Sequence, residues 1–216
     1  MKKKIILAAI VLLVILAIAL SGKKEPESTD PNLFVLKDLN ITAVNITPYE
    51  GLYLEAGEAE TVSGVYAMTF TNTGSKTIRE AQLVFTDGKQ ELFFRFEMLA
   101  AGQTVTVAEM EKCAVTADTV LFVDGTVAYL EDGLEKTGVV EITTDASGAM
   151  TVRNITEEWL PLIRIFYRGT DTAGNALGGP CRSALIDGLE PGASFQPEAE
   201  GWDATCAVAA VLVVNE

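Results

Sequence analysis

Short apolar segments alternate with polar turn residues along most of this chain, from residue 33 to its end. In segments such as GVYAMTFT (64–71), large apolar residues alternate with small or polar ones, which is the two-residue period of a strand buried on one face. Asp-Gly pairs, which favour turns, separate several of these segments. The pattern therefore predicts an all-β fold, with short helical turns allowed only near residues 55–60 and 108–113.

The predicted strands are short runs rich in β-branched and aromatic residues. They cover residues 33–37, 64–71, 81–85, 91–97, 103–109, 119–123, 126–130, 138–143, 149–154, 162–168, 182–186 and 206–214.

The N-terminus has a different pattern. Three lysines at positions 2–4 precede an uninterrupted apolar run at residues 5–20, which is typical of a membrane-targeting segment. Residues 1–22 are thus predicted to be a signal anchor or a signal peptide, and residues 23–32 a polar linker. The length favours an uncleaved helical anchor, although small residues suited to cleavage occur at 17–21. Positive charge before the run predicts an inside N-terminus and extracytoplasmic domains; cleavage would instead give a secreted protein.

An internal repeat divides the remaining sequence. Residues 66–85 align with 148–167 and place Asn72 on Asn154, and residues 98–107 align with 188–197 and place Gly102 on Gly192. A third block aligns Cys113 with Cys206. The main insertion in the second copy is GTDTAGNALGG (169–179). We therefore predict two tandem immunoglobulin-like β-sandwich domains, 33–124 and 125–216, since about 90 residues and seven strands suit that fold.

Both copies share a longer order of features. The second has Asn154, an apolar strand (162–167), Gly174-Asn175 and LEPG (189–192); the first has Asn72, LVFTDG (83–88) and LAAG (99–102). This order resembles the FxLYD-type and related immunoglobulin-like sandwich domains of bacterial envelope proteins over most of residues 64–216. It departs from them where Arg168 follows Tyr167 and Thr86 follows Phe85. The resemblance implies a sandwich fold and a surface location, but no reaction.

The charge distribution excludes one class of partner. The chain has a net charge of −14, and from Glu25 onward it carries 11 basic and 30 acidic residues, or −19. A region this acidic repels the phosphate backbones of nucleic acids, and nucleic-acid binding is therefore not expected. The expected partners are the membrane, through the N-terminal helix, and a protein or glycan at the cell surface.

Residues able to carry catalysis are few. The chain has no histidine, which removes the commonest general base and metal ligand, and its three cysteines form no CxxC pair. We predict no catalytic residue, no cofactor and no metal site, and therefore no enzyme. Paired carboxylates of glycosidase type remain a competing hypothesis that no sequence feature singles out.

Four residues remain as site candidates. Cys181 and Cys206 form a candidate disulfide, which an extracytoplasmic location permits; buried thiols are favoured, because the first copy has its strand cysteine without a partner. Trp159 and Trp202 are candidate stacking residues for a sugar or peptide ligand, provided that both indoles share one exposed surface. The leading hypothesis is a non-enzymatic spacer or protein-interaction module of the cell envelope, and the alternative is a carbohydrate- or peptide-binding module.

Overall fold

A computed structural model of the chain describes residues 31–55, 58–115, 120–131 and 138–214. The predicted anchor and residues 23–30 of the linker lie outside these ranges. Within them, no helix has the length and apolar character needed to cross a bilayer, and the helical structure is a single 3₁₀ turn at Lys37–Leu39. The prediction of an all-β fold is confirmed.

The N-terminal unit, residues 31–131, packs two sheets around one core. Its strands are β1 (Leu33–Leu36), β2 (Ile41–Asn45), β3 (Tyr49–Glu55), β4 (Glu58–Val65), β5 (Ala67–Asn72), β6 (Thr77–Thr86), β7 (Glu91–Leu99), β8 (Thr104–Ala108) and β9 (Phe122–Glu131). One sheet has the order β1-β2-β5-β8 and the other β7-β6-β9, while β3 and β4 form a hairpin.

Aromatic side chains from both sheets fill this core. Phe70 of β5 lies 5.8 Å from Phe94 and 5.1 Å from Phe96 of β7, measured between ring centroids. Phe34 of β1 meets Phe85 of β6 edge-on at 5.1 Å. These inward residues alternate with outward ones along each strand, which is the pattern that produces a sandwich.

The C-terminal unit, residues 138–214, encloses a separate core. Its strands are β10 (Val140–Thr144), β11 (Met150–Asn154), β12 (Leu160–Gly169), β13 (Arg182–Leu189), β14 (Ser194–Phe195) and β15 (Cys206–Val214). They form sheets of order β10-β11-β14 and β13-β12-β15. Val152, Ile163, Ile165 and Tyr167 are fully buried between these sheets.

The two units share the order of six strands. The sheets β2-β5-β8 and β7-β6-β9 correspond to β10-β11-β14 and β13-β12-β15. Even a bulge is shared: the register with the last strand shifts by one residue after Val84 in the first unit and after Phe166 in the second. Strand β1 and the β3–β4 hairpin occur in the N-terminal unit alone among the described residues.

Equivalent residues close the same connections in both units. The Asn72 Nδ2 donates to the carbonyls of Lys76 (2.7 Å) and Leu99 (2.8 Å). The Asn154 Nδ2 donates in the same way to Glu158 (2.7 Å) and Leu189 (3.0 Å).

The paired glycines also have the same conformation. Gly102 and Gly192 have φ of 74° and 72°, a conformation that glycine adopts at little cost. Their amides donate to the carbonyls of Asn72 and Asn154.

Three sequence expectations need correction. Strand β9 runs through Gly125, so the strands of the first unit extend to Glu131, beyond the boundary predicted at 124/125. The helical turn allowed near 55–60 is replaced by the ends of the β3–β4 hairpin.

The third correction concerns the cysteine alignment. Val123 lies opposite Phe85 and Val208 opposite Tyr167, so the counterpart of Cys206 is Leu121. Cys113 lies instead in the β8–β9 connection, because that connection is longer in the first unit.

Candidate functional site at the junction of the two units

The insertion of the second copy forms the loop between β12 and β13, and this loop extends a sheet of the other unit. The Thr106 amide in edge strand β8 donates to the Ala176 carbonyl (2.9 Å), and the Gly178 amide donates to the Thr106 carbonyl (2.9 Å). Leu177 thereby forms a parallel bridge with Thr106. The loop thus covers an edge that would otherwise expose unpaired backbone groups.

A second contact joins the same loop to edge strand β7. The Glu97 amide donates to the Gly179 carbonyl (3.0 Å), and the Cys181 amide donates to Glu97 Oε2 (3.3 Å). A Cβ at Gly179 would collide with the Arg95 carbonyl oxygen. The approach of the two backbones therefore requires glycine at this position.

Arg168 is the buried cation of this junction, with 5% of its surface exposed. Its Nη2 donates to the carbonyls of Glu97 and Met98 in the N-terminal unit, and to Cys181 Sγ at 2.9 Å. Its Nη1 donates to the Gly178 carbonyl at 3.3 Å. The guanidinium thus links both units and the insertion through neutral acceptors, which would lose this donor if the side chain were removed.

Met98 supplies the apolar half of the junction. It is buried and packs with Ala209 and Ala210, with Phe166 and Leu212 at the margin. Its φ is 47°, in the left-handed region that a non-glycine residue rarely adopts. The surrounding contacts therefore compensate for a strained backbone, and the same residue presents its carbonyl to Arg168.

A cleft of about 410 Å³ opens beside Arg168. Its floor is the outer face of β5 and β8, where the hydroxyl oxygens of Thr69 and Thr106 lie 3.2 Å apart. Its walls come from loop residues 174–176 and from residues 207–209 of β15. Among the described residues that line it, none is acidic and Arg168 is the one charged group.

Two titratable groups of the insertion are shifted by their surroundings. The side-chain amide of Asn175, aided by backbone amides, lowers the pKa of Asp171, which keeps the carboxylate ionised and the loop turn hydrogen-bonded. Burial raises the pKa of the Cys181 thiol, although the nearby Arg168 acts in the opposite direction. Cys181 is therefore a neutral thiol near pH 7.

The predicted tryptophan pair is not brought together. Trp159 immediately precedes β12 and is 54% exposed. Trp202 packs edge-on against Tyr167, near the other end of the same strand, at 5.3 Å between ring centroids. Roughly 26 Å of extended strand separates residues 159 and 167, so the indoles do not form one stacking surface.

Cys181 and Cys206 are not bonded: both are free thiols. Cys181 precedes β13 and Cys206 begins β15, and these strands pair with opposite sides of β12. Two strand spacings amount to about 10 Å, which exceeds the Cα separation of about 7 Å that a disulfide can bridge. Both residues are free thiols, as the favoured interpretation has them, but they are partly buried and not fully buried.

The junction residues were missed by sequence reasoning, although two signals existed. The alignment of residues 98–107 with 188–197 places Met98 opposite Gly188, whose φ is 82°. Arg168 occurs where the sequence departs from the resembled domains. A bulky residue at a glycine position and a cation ending an apolar strand both suggest a local contact that the repeat alone does not require.

Comparison with protein-family models, with curated proteins and with solved structures gave no match for this chain. Within the described ranges, no three Cys, Asp or Glu side chains are grouped closely enough to hold a metal ion.

Proposed function

We propose that this chain is a non-enzymatic, membrane-anchored extracytoplasmic protein whose two sandwiches act as a spacer or protein-interaction module of the cell envelope. The observation that carries the proposal is the junction at Arg168. A pair of freely moving domains has no need to bury a guanidinium between them, since desolvating a charge is costly. A junction with this many directed hydrogen bonds suits a module that holds its two ends at a fixed separation.

The membrane location rests on the N-terminal sequence. Lysines 2–4, the apolar run 5–20 and Lys23-Lys24 support an uncleaved anchor with its N-terminus inside the cell. The acidic remainder would be repelled by anionic headgroups, which favours units that stand away from the bilayer.

The immunoglobulin-like assignment rests on topology. If the six shared strands are named A to F, the sheets have the orders A-B-E and D-C-F. Constant-type immunoglobulin domains have A-B-E-D and C-F-G, so here the fourth strand pairs with the third. We therefore propose a six-strand member of this broad architecture, related to the FxLYD-type domains.

Location is tested by adding protease to intact cells and to broken cells. We expect degradation of residues 33–216 from the outside, with an intact mass that includes Met1 in the untreated membrane protein. A mature start at Leu20 or Gly22 would place the protein in the secreted class. Protection of the domains in intact cells would reject the proposed orientation.

The spacer role is tested by electron-spin distance measurements between labels on exposed residues Glu91 and Glu157. A single narrow distance distribution is expected for the membrane-embedded chain. A broad distribution would contradict a fixed spacer and favour two mobile interaction domains. A pull-down from native envelope with residues 33–216 as bait then identifies the partner of an interaction module.

The carbohydrate- or peptide-binding alternative retains one exposed indole, Trp159. It predicts that Trp159→Ala abolishes binding in a screen of envelope glycans and peptides. Trp202→Phe is a less informative control variant than Trp159→Ala, because Trp202 packs against Tyr167. Retained binding in the Trp159→Ala protein would remove stacking as the basis of this alternative.

A further inference from the structure

We propose that the cleft between the two units binds a small organic carboxylate, a site that is separate from the spacer role. The lining of the cleft differs in charge from the rest of the chain. The chain carries 30 acidic residues, yet the described lining of the cleft contains Arg168 and no acid. This lining disfavours a cation and favours an anion.

Arg168 has hydrogen-bonding capacity that the junction does not use. The Nη1 and Nη2 atoms make the four hydrogen bonds of the junction, and all their acceptors are neutral. None of these four hydrogen bonds uses the Nε–H. A carboxylate oxygen at the cleft would give the Nε–H a charged acceptor, in a site where water screens the interaction weakly.

The volume and lining of the cleft indicate the size and polarity of the ligand. A volume of about 410 Å³ lies near the lower limit of ordinary ligand pockets, so the site suits a small molecule or the end of a longer one. Thr69, Thr106 and Gln103 present hydroxyl and amide groups, and no aromatic side chain is among the described lining residues. Recognition therefore depends on charge and hydrogen bonds.

The net charge of the chain opposes binding only at long range. Exposed acidic residues repel an approaching anion, but salt at physiological strength screens that repulsion beyond about 8 Å. Contact with a guanidinium in a partly enclosed cleft is screened much less. The local cation therefore determines which ligand binds, and the surrounding charge mainly slows its arrival.

The carboxylate could come from a peptide C-terminus or from an acidic sugar, and two matched probe pairs distinguish these sources. The probes are N-acetyl-alanyl-alanine and its C-terminal amide, and galacturonic acid and its amide. Each is titrated into full-length protein in micelles with methyl-labelled alanine, since Ala176, Ala207 and Ala209 line the cleft. We expect shifts at these methyls, with about tenfold or greater preference for at least one acid over its amide.

Two tryptophan substitutions supply the control without touching Arg168. Thr104→Trp fills the cleft from its floor, whereas Thr42→Trp alters the same sheet face two strands away. Binding should be lost in the first variant and retained in the second, provided that both show native spectra. Equal affinity for acid and amide, unchanged binding in Thr104→Trp, or no binding of either acid at about 10 mM would overturn the proposal. These outcomes are independent of the distance and topology experiments on the spacer.

Discussion

Buried polar side chains hold this structure together at the residue scale. Asn72 and Asn154, both with 1% or less of their surface exposed, each bridge two connections through one amide nitrogen and accept a turn amide on the other side. The sequence repeat pairs these two asparagines, and the structure shows that each also reaches across to Leu99 or Leu189. A neutral asparagine amide can donate two hydrogen bonds from its nitrogen while its oxygen accepts, which a hydroxyl with its single donor cannot do.

The donor role of these amides is tested by an isosteric change. In Asn72→Asp, a carboxylate oxygen replaces the amide nitrogen that donates to the carbonyls of Lys76 and Leu99. We expect a loss of about 2–4 kcal/mol in the free energy of unfolding, because buried acceptors then face a buried anion. Chemical denaturation of a chain beginning at residue 31 measures it.

Asn45→Asp is the matched control for that experiment. Asn45 Oδ1 accepts the Thr47 amide (3.0 Å), a role that aspartate keeps. Its expected effect is within about 0.5 kcal/mol. Equal losses in the two variants would show that added charge, and not the lost donor, determines the result.

Arg168 differs from these asparagines because it carries a charge between the two units. We expect Arg168→Ala to lower the free energy of unfolding by about 2–3 kcal/mol, since the carbonyls of Glu97 and Met98 lose the guanidinium and the Glu97 carbonyl keeps only the weak thiol donor of Cys181. Arg164→Ala, on the same strand but exposed, should cost less than about 0.5 kcal/mol. Denaturant titration compares the two variants. An equally small effect in both would contradict the role of Arg168 in linking the two units.

At the element scale, the positions of most strands could be predicted from the sequence, because alternating residues directly record which face is buried. One error occurred where a turn signal lay inside a strand. Asp124-Gly125 reads as a turn, but Gly125 pairs with Val84 and Val123 with Phe85, so Asp124 is the extra residue of a bulge. The β3–β4 hairpin was missed because its polar and glycine-rich sequence lacks a clear apolar period.

The candidate site was less predictable than the strands. A local pattern records which face of a strand is buried, but it contains no information on which residue of another unit will lie against it. Arg168 meets the carbonyls of Glu97 and Met98 only because the insertion pairs with the edges of β7 and β8. The prediction that Trp159 and Trp202 share one surface was wrong for the same reason, because a shared residue type does not bring two distant positions together.

The insertion is the element that fixes this docking, and Gly179 is its most constrained residue. In Gly179→Ala, the new Cβ must displace the Arg95 carbonyl, and the bond from the Glu97 amide to Gly179 should be lost. We expect hydrogen exchange at the Glu97 amide to rise about tenfold or more, which corresponds to roughly 1.4 kcal/mol of local opening. Thr172 is exposed in the same loop, and Thr172→Ala should leave exchange at the Glu97 amide unchanged. Similar exchange rates in the two variants would refute a role for the close approach of the Gly179 and Arg95 backbones.

At the scale of the whole molecule, two separate cores are joined by one mixed interface. Each unit buries its own aromatic or aliphatic cluster, whereas the interface combines the Met98 cluster with the bonds of Arg168. The units should therefore be able to fold separately and still stabilise each other. The sequence repeat accounts for the two cores. The interface depends on two features that depart from the repeat, which are the insertion and Arg168.

The last prediction concerns this division of stability. Because β9 belongs to the first unit, the C-terminal unit to isolate is residues 132–216 and not 125–216. We expect it to unfold cooperatively, since the core around Ile163, Ile165 and Tyr167 is complete without the other unit. It should be less stable than in the longer chain, because the Met98 cluster is lost.

Arg168→Ala in both chains then isolates the interface. In the longer chain, the variant removes the donor from acceptors in both units. In residues 132–216, the carbonyls of Glu97 and Met98 are absent, and water can already reach the guanidinium of the unsubstituted chain. The cost of the substitution should therefore fall from about 2–3 kcal/mol to below about 1 kcal/mol in the isolated unit, and denaturation of all four proteins measures that difference as a coupling energy. An equal cost in both chains would assign Arg168 to the C-terminal unit alone, and an unfolded 132–216 would show that the two units are one cooperative domain.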